Sequence, residues 1–186
     1  MVLVLASQSP RRQEILRGAG ISFVVRPPRV VEQRMEGEVA ADYVRRLASE
    51  KAAAVPAGTG EIVLGADTVV VAGESILEKP RDPEDARRML QLLSGRDHDV
   101  ITGICLRTAG NATVDIAVTR VRFLPLDPSE IDAYVASGEP MDKAGAYAIQ
   151  GLASKFIDRI DGCYFNVVGL PVALVYRRLK ELGFKP

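Results

Sequence analysis

The chain has 186 residues, 47% of them hydrophobic and 26% charged, a balance that suits a folded protein with a substantial core and excludes a disordered one. Lys plus Arg and Asp plus Glu number 24 each, so the formal net charge is zero; a chain-wide basic field for duplex nucleic acid is excluded, and any anion site must be local. The two cysteines, Cys105 and Cys163, lie far apart in no metal-ligand spacing, which argues against a disulfide scaffold or zinc site and fits free thiols in a reducing compartment.

Val2 to Ala6 is expected to be a buried strand. Ser7-Gln8-Ser9-Pro10-Arg11-Arg12 follows, then a short helix with Ile15, Leu16 and Ala19 on one face, stopped by Gly18 and Gly20. Ser9 suits the N-cap and Pro10 the first helical position. A helix N-terminus with two serines and two arginines is a phosphate cradle: free N–H groups and the positive dipole end point outward, and arginine adds bidentate contacts. It is not a P-loop, because GxxxxGK[ST] is missing. The opening MVLVLAS is too short for a signal peptide, and no window reaches the length of a membrane span without charge, so the cytoplasm is the expected location.

Ile21 to Val25 is expected to be a second strand, and Arg26 to Gly37 a mobile polar loop carrying Glu32 and Glu36, with Glu38 just beyond. Val39, Tyr43, Val44, Leu47 and Ala48 have helical spacing, with the helix ending near Ala54 and Lys51 in its last turns, where the dipole alone favours a lysine.

Ile62 to Pro80 is the most informative stretch. Two apolar runs, Ile62 to Leu64 and Val69 to Val71, have the β-branched content of buried strands. Asp67 lies between them, beside Gly65 and Ala66, which leave room for a group to approach the backbone. A carboxylate there is costly unless paired or metal-bound. Ala72 to Ser75 predicts a tight turn, with a short strand at Ile76 and Leu77 that would bring Lys79 back toward Asp67.

Asp82 and Pro83 open a helix buried through Ala86, Met89, Leu90 and Leu93 and ended by Gly95. His98, the only histidine, is expected at a surface or turn. Val100 to Arg107 and Thr113 to Phe123 predict two long strands, and Asp127 to Glu130 is a capping signature for a helix carrying Ile131, Tyr134 and Val135. Ser137 to Gly151 lacks the periodicity of an element but gathers Glu139, Asp142, Lys143 and Gln150 among glycines, the kind of loop where sites lie. Ala153 to Ile160 is expected as a strand, and Val172, Val175, Leu179 and Leu182 as the buried face of a last helix. This alternation predicts α/β with a mixed sheet flanked by helices, as one domain or as two lobes around a cleft.

The cradle, the lysines at 51, 79 and 143, and the carboxylate of Asp67 together point to phosphoryl chemistry, in which catalysis is mostly positioning and charge stabilisation. A carboxylate that binds Mg²⁺ or orients a water completes the set. Without a Walker A motif or kinase signature, hydrolysis is expected before transfer.

LASQSPRRQEIL at Leu5 to Leu16, RLASEKA at Arg46 to Ala52, LGADTVV at Leu64 to Val70, LEKP at Leu77 to Pro80, LSGRDHDVITG at Leu93 to Gly103, EPMDKAGAYAIQG at Glu139 to Gly151 and NVVGLP at Asn166 to Pro171 follow one another in order. This set resembles the Maf family of nucleoside triphosphate pyrophosphatases over nearly the full chain. The resemblance implies one Maf-like domain over residues 1–186. Its implied fold is similar to the inosine-triphosphatase group: an elongated mixed β-sheet flanked by helices, with a cleft between two lobes. It also implies Mg²⁺- or Mn²⁺-dependent hydrolysis between the α- and β-phosphates of a nucleoside triphosphate. By position, Asp67 would be the proton acceptor, sharing a metal with Glu32, while Ser7, Arg12, Lys51 and Lys79 would bind phosphate. Arg11, Thr68 and Gln150 match positions tied to base choice, and their identities are those of the branch acting on dTTP and UTP. The branch acting on 7-methyl-GTP tends to have Trp, Gln and Glu there. Gln150 offers a donor and an acceptor, which suits the imide edge of uracil or thymine. Ala148 departs from the glycine more often seen. The resemblance leaves open a homodimer, a 7-methyl-GTP-type pyrophosphatase as an alternative, and also a different role as a nucleotide-binding regulator of cell division or septum formation; neither nucleic acid nor a membrane is an expected partner.

Overall fold

A computed structural model describes residues 1–185. Strand β1 (Val2–Ala6) leads into helix α1 (Pro10–Gly18), where Ser9 Oγ accepts from the Arg12 N–H and Pro10 opens the first turn. Strand β2 (Phe23–Val25) is shorter than expected. An irregular polar segment then reaches helix α2 (Ala40–Ala53), which buries Tyr43, Val44, Leu47, Ala48, Lys51 and Ala52 on one face. Strand β3 (Glu61–Ala72) turns through Gly73 into β4 (Ser75–Leu77). Helix α3 (Pro83–Leu93) is capped by Asp82, whose side chain accepts from the Asp85 N–H.

The long strands β5 (Asp97–Arg107) and β6 (Ala112–Phe123) precede α4 (Pro128–Ala136), where Glu130 reaches back to the Asp127 N–H at 3.0 Å. Three short 3-10 turns (Glu139–Asp142, Ala144–Ala146 and Leu152–Phe156) follow, then β7 (Ile157–Asp161), the short helix α5 (Tyr164–Val168) and α6 (Val172–Glu181).

Among the described residues the strands form one seven-stranded sheet in the order β2-β1-β3-β5-β6-β7, with β4 paired to β3. It is mixed: β1 runs parallel to β2 and β3, whereas β4 is antiparallel to β3 and β7 to β6. The chain divides into two compact units. Unit 1 comprises residues 1–68, 102–117 and 169–186; unit 2 comprises 69–101 and 118–168.

In unit 1, Val4, Ala6, Ala48, Ala52, Val55, Val63 and Cys105 pack together where α2 lies on the sheet. Two glycines permit that approach. A Cβ on Gly65 would stand 2.2 Å from the Ala48 carbonyl oxygen, and one on Gly103 2.3 Å from that of Val44. Unit 2 is held by a larger apolar cluster in which Leu90, Leu93, Phe123, Tyr134, Tyr147 and Phe156 are among the buried members.

Three expectations change. The apolar runs on either side of Asp67 are one continuous strand, β3, which pairs with β1 through Gly65 and with β4 from Val70 onward. Residues 152–156 are a 3-10 turn and not the start of a strand. His98 is buried within β5, edge-on to Phe123 and Tyr147, and not at a surface.

Candidate active site

Unit 1 gathers seven of the nine residues singled out in the sequence: Ser7, Arg11, Arg12, Glu32, Lys51, Asp67 and Thr68. Ser7 follows β1 directly, so it leaves the sheet beside the start of α1. Arg12 turns inward. Its Nε donates to the Gly169 carbonyl at 2.9 Å, Nη1 to Ser7 Oγ at 3.3 Å and Nη2 to Thr68 Oγ1 at 3.2 Å. Gly169 has φ +125°, a conformation that favours glycine and aims its carbonyl at the guanidinium. Thr68 Oγ1 also lies 2.9 Å from Thr102 Oγ1. Arg12 is therefore a structural clamp as well as a cation, which the unfavourable dipole of a first-turn arginine does not suggest. Arg11, one residue earlier, is half-buried.

Asp67 lies on β3 opposite Lys51 of α2. The lysine Nζ donates to Asp67 Oδ1 at 2.6 Å and stands 2.8 Å from Glu32 Oε1. Position 51 continues the Val44, Leu47, Ala48 stripe, so the side chain is carried into the interior; both Lys51 and Asp67 are 6% exposed. Glu32 approaches from the loop before α2, its carboxylate half in solvent.

Burial pushes the Asp67 carboxyl above the ordinary range, against the pull of Lys51 and Arg12. Burial likewise lowers Arg12, opposed by Asp67 and Glu32. The unit thus holds a carboxylate of raised basicity among buried cations, an arrangement able to accept a proton beside a bound anion.

Lys79 and Gln150 belong to unit 2 and are both exposed. Lys79 follows the end of β4, whose ladder with β3 closes at Val70 and Leu77. Gln150 occupies a turn after Tyr147. Lys143 stays in its own loop, donating to the Glu139 carbonyl at 2.8 Å and Asp142 Oδ1 at 2.6 Å. Thr102 and Gly169 complete the Arg12 network, and the sequence marks neither for that role. A threonine in a long strand carries no signal, since its type is common there, and a glycine in NVVGLP does not announce a carbonyl partner for an arginine remote in sequence.

No group of three or more His, Cys, Asp and Glu side chains able to hold a metal occurs among the described residues. No helix there is long and apolar enough to cross a membrane.

The family model described as Maf-like protein matches residues 2–182. A dTTP/UTP pyrophosphatase of Anaeromyxobacter dehalogenans (strain 2CP-C) is 53% identical over 186 residues, covering 98% of this chain and 94% of that protein. One from Geobacter sulfurreducens is 50% identical over 184 residues, covering 97% and 96%. Among solved structures, the Staphylococcus aureus Ham1 protein aligns with TM-score 0.55 and 13% identity over 97% of this chain and 99% of that one. A HAM1 protein from Coxiella burnetii aligns with TM-score 0.50 and 17% identity over 97% and 100%. At such identities the structural likeness concerns the fold alone.

Proposed function

The chain belongs to the Maf-like protein family, and from that premise we propose that it is a nucleoside triphosphate pyrophosphatase hydrolysing dTTP and UTP to the monophosphate and pyrophosphate. The observation that carries the reading is Asp67: a buried carboxylate of raised basicity, flanked by Lys51 and the Arg12 clamp. Relatives that are half identical over nearly the whole chain bear the name dTTP/UTP pyrophosphatase.

Asp67 accepts a proton from the attacking water. The water oxygen joins phosphorus, the α–β anhydride bond breaks, and pyrophosphate leaves. Ser7, Arg12 and Lys51 hold the phosphates, and Lys79 makes a further phosphate contact. Buried cations act strongly on the charge that develops, because little solvent screens them. Arg11, Thr68 and Gln150 select the base. The nucleotide is the partner, and the free thiols suit a cytoplasmic setting.

A divalent cation, Mg²⁺ or Mn²⁺, fits the donors present. Asp67 and Glu32 already converge on one positive group, the Lys51 ammonium, and Mg²⁺ is commonly held by one or two carboxylates plus substrate phosphates. Bound there, it would neutralise phosphate charge and make the water more acidic.

The test is a nucleotide panel with Mg²⁺ on the purified protein. Pyrophosphate release from dTTP and UTP is expected, and Asp67→Asn should slow it by about 10²- to 10⁴-fold. Nucleotide held without turnover would instead favour a regulator, and full turnover by Asp67→Asn would remove the assigned base.

A further inference from the structure

Gln150 is exposed, yet the backbone on either side of it is tightly held. The Gly151 N–H donates to the Ala148 carbonyl at 3.1 Å, closing a four-residue turn with Ile149 and Gln150 at its centre. Two side chains in series then join the ends of that turn. The Ala148 N–H donates to Tyr134 Oη at 3.1 Å, the Tyr134 hydroxyl donates to Glu139 Oε1 at 2.8 Å, and the Leu152 N–H donates to Glu139 Oε2 at 3.1 Å. The bonded path starts on one side of Gln150 and finishes on the other.

The clamp itself has little freedom. Tyr134 is buried, its ring edge-on to Phe156 at 5.6 Å between centroids. Glu139 is fixed by its own backbone: its N–H donates to Ser137 Oγ at 3.2 Å and its carbonyl accepts from Lys143 Nζ at 2.8 Å. A Cβ at position 151 would lie 2.3 Å from Glu139 Oε2, so a side chain there would have to displace that carboxylate. Just ahead of the turn, Tyr147 Oη is 2.9 Å from His98 Nε2.

We infer that Glu139 and Tyr134 are positioning residues for base discrimination, setting the turn that presents Gln150 to the nucleobase. The inference rests on the proposed reading of Gln150 as a base-contacting residue. An amide reads an imide edge only when its donor and acceptor face that edge side by side. A carboxylate accepting at both oxygens fixes the turn more firmly than neutral partners would.

The experiment measures kcat and KM for dTTP, UTP and dGTP with the full chain, its Gln150→Ala, Glu139→Gln and Tyr134→Phe variants, and the Glu139→Gln/Gln150→Ala double variant. Glu139→Gln leaves a single acceptor oxygen for two donors, and Tyr134→Phe removes the shared hydroxyl while keeping the ring. Both are expected to lower the preference for pyrimidine over purine about tenfold, mainly through KM, since small misplacements at a bound substrate are costly. The double variant should discriminate no worse than Gln150→Ala, as expected for residues acting through one another.

Unchanged discrimination in folded Glu139→Gln and Tyr134→Phe, or losses that add in the double variant, overturns the clamp and leaves the proposed function standing. No hydrolysis of dTTP or UTP by the unaltered chain overturns both. If one clamp variant does not fold, the other decides. If neither folds, the pair supports the unit as a whole rather than the turn, and the inference fails.

Discussion

The two units differ in the polar groups they bury. Unit 1 takes charges into its interior and surrounds them with partners: Arg12 on three oxygens, and Lys51 between Asp67 and Glu32. Unit 2 has an aromatic interior; its one buried carboxylate among the described residues, Asp85, is paired with Arg81 just before its helix and Arg88 within it, and its buried histidine is held neutral: burial lowers His98 to about 4. The sequence-predicted residues of unit 2, Lys79 and Gln150, stay in solvent. A buried ion without a partner would be too costly, so unit 1 is built from mutually dependent groups. Unit 2 instead leaves Lys79 and Gln150 outside and holds the backbone on either side of Gln150.

The sharpest way to break that contrast is Lys51→Met. It keeps the volume and removes the charge between two carboxylates, so an activity loss of about 100-fold and a stability loss of about 3 kcal/mol are expected. Were Lys51 only complementing the helix dipole, denaturant melts would show less than about 1 kcal/mol and the rate would hold.

Gly65→Ala probes the approach that makes the pairing geometrically available. Its Cβ would meet the Ala48 carbonyl, so α2 must move, and we expect about 3 kcal/mol of destabilisation with a parallel loss of turnover. A stable, fully active variant would show that the position of α2 is not critical.

His98 tests the other unit by pH. Its folded value, about 4, lies below the ordinary 6.5, so the unfolded chain binds more protons in between. Its contribution is complete above pH 6.5 and is lost as pH falls toward 4, by at most about 3 kcal/mol. Asp97 and Asp99, which oppose the lowering, are its charged neighbours on β5. His98→Gln should flatten that part of the stability profile; an unaltered slope would mean other groups set it. The smallest effect is expected at the exposed Arg45–Asp42 pair, where Asp42→Asn should change stability by less than about 0.5 kcal/mol.

Much of the fold was legible because its signals are local. Ser9 with Pro10, Asp82 with Pro83, and Asp127 with Glu130 mark their helix starts through bonds spanning three residues. The residues of β3 and β5 announced strands through their composition, although the continuity of β3 across Asp67 depends on ladder partners elsewhere in the chain. His98 was misplaced because its neighbours Asp97 and Asp99 are charged, whereas Phe123 and Tyr147, which cover it, are remote in sequence.

By itself, the sequence determined the α/β class, the helix caps, the presence of a lone acid in an apolar stretch, and two arginines at the start of a helix. Those properties follow from side-chain type and spacing along a few turns or strands. Only the tertiary structure decided that Lys51 faces Asp67, that Arg12 is clamped on Gly169 and Thr68, and that Tyr134 and Glu139 brace the turn at Gln150. Each of these joins distant segments or depends on side-chain direction, which packing sets and local preference does not encode.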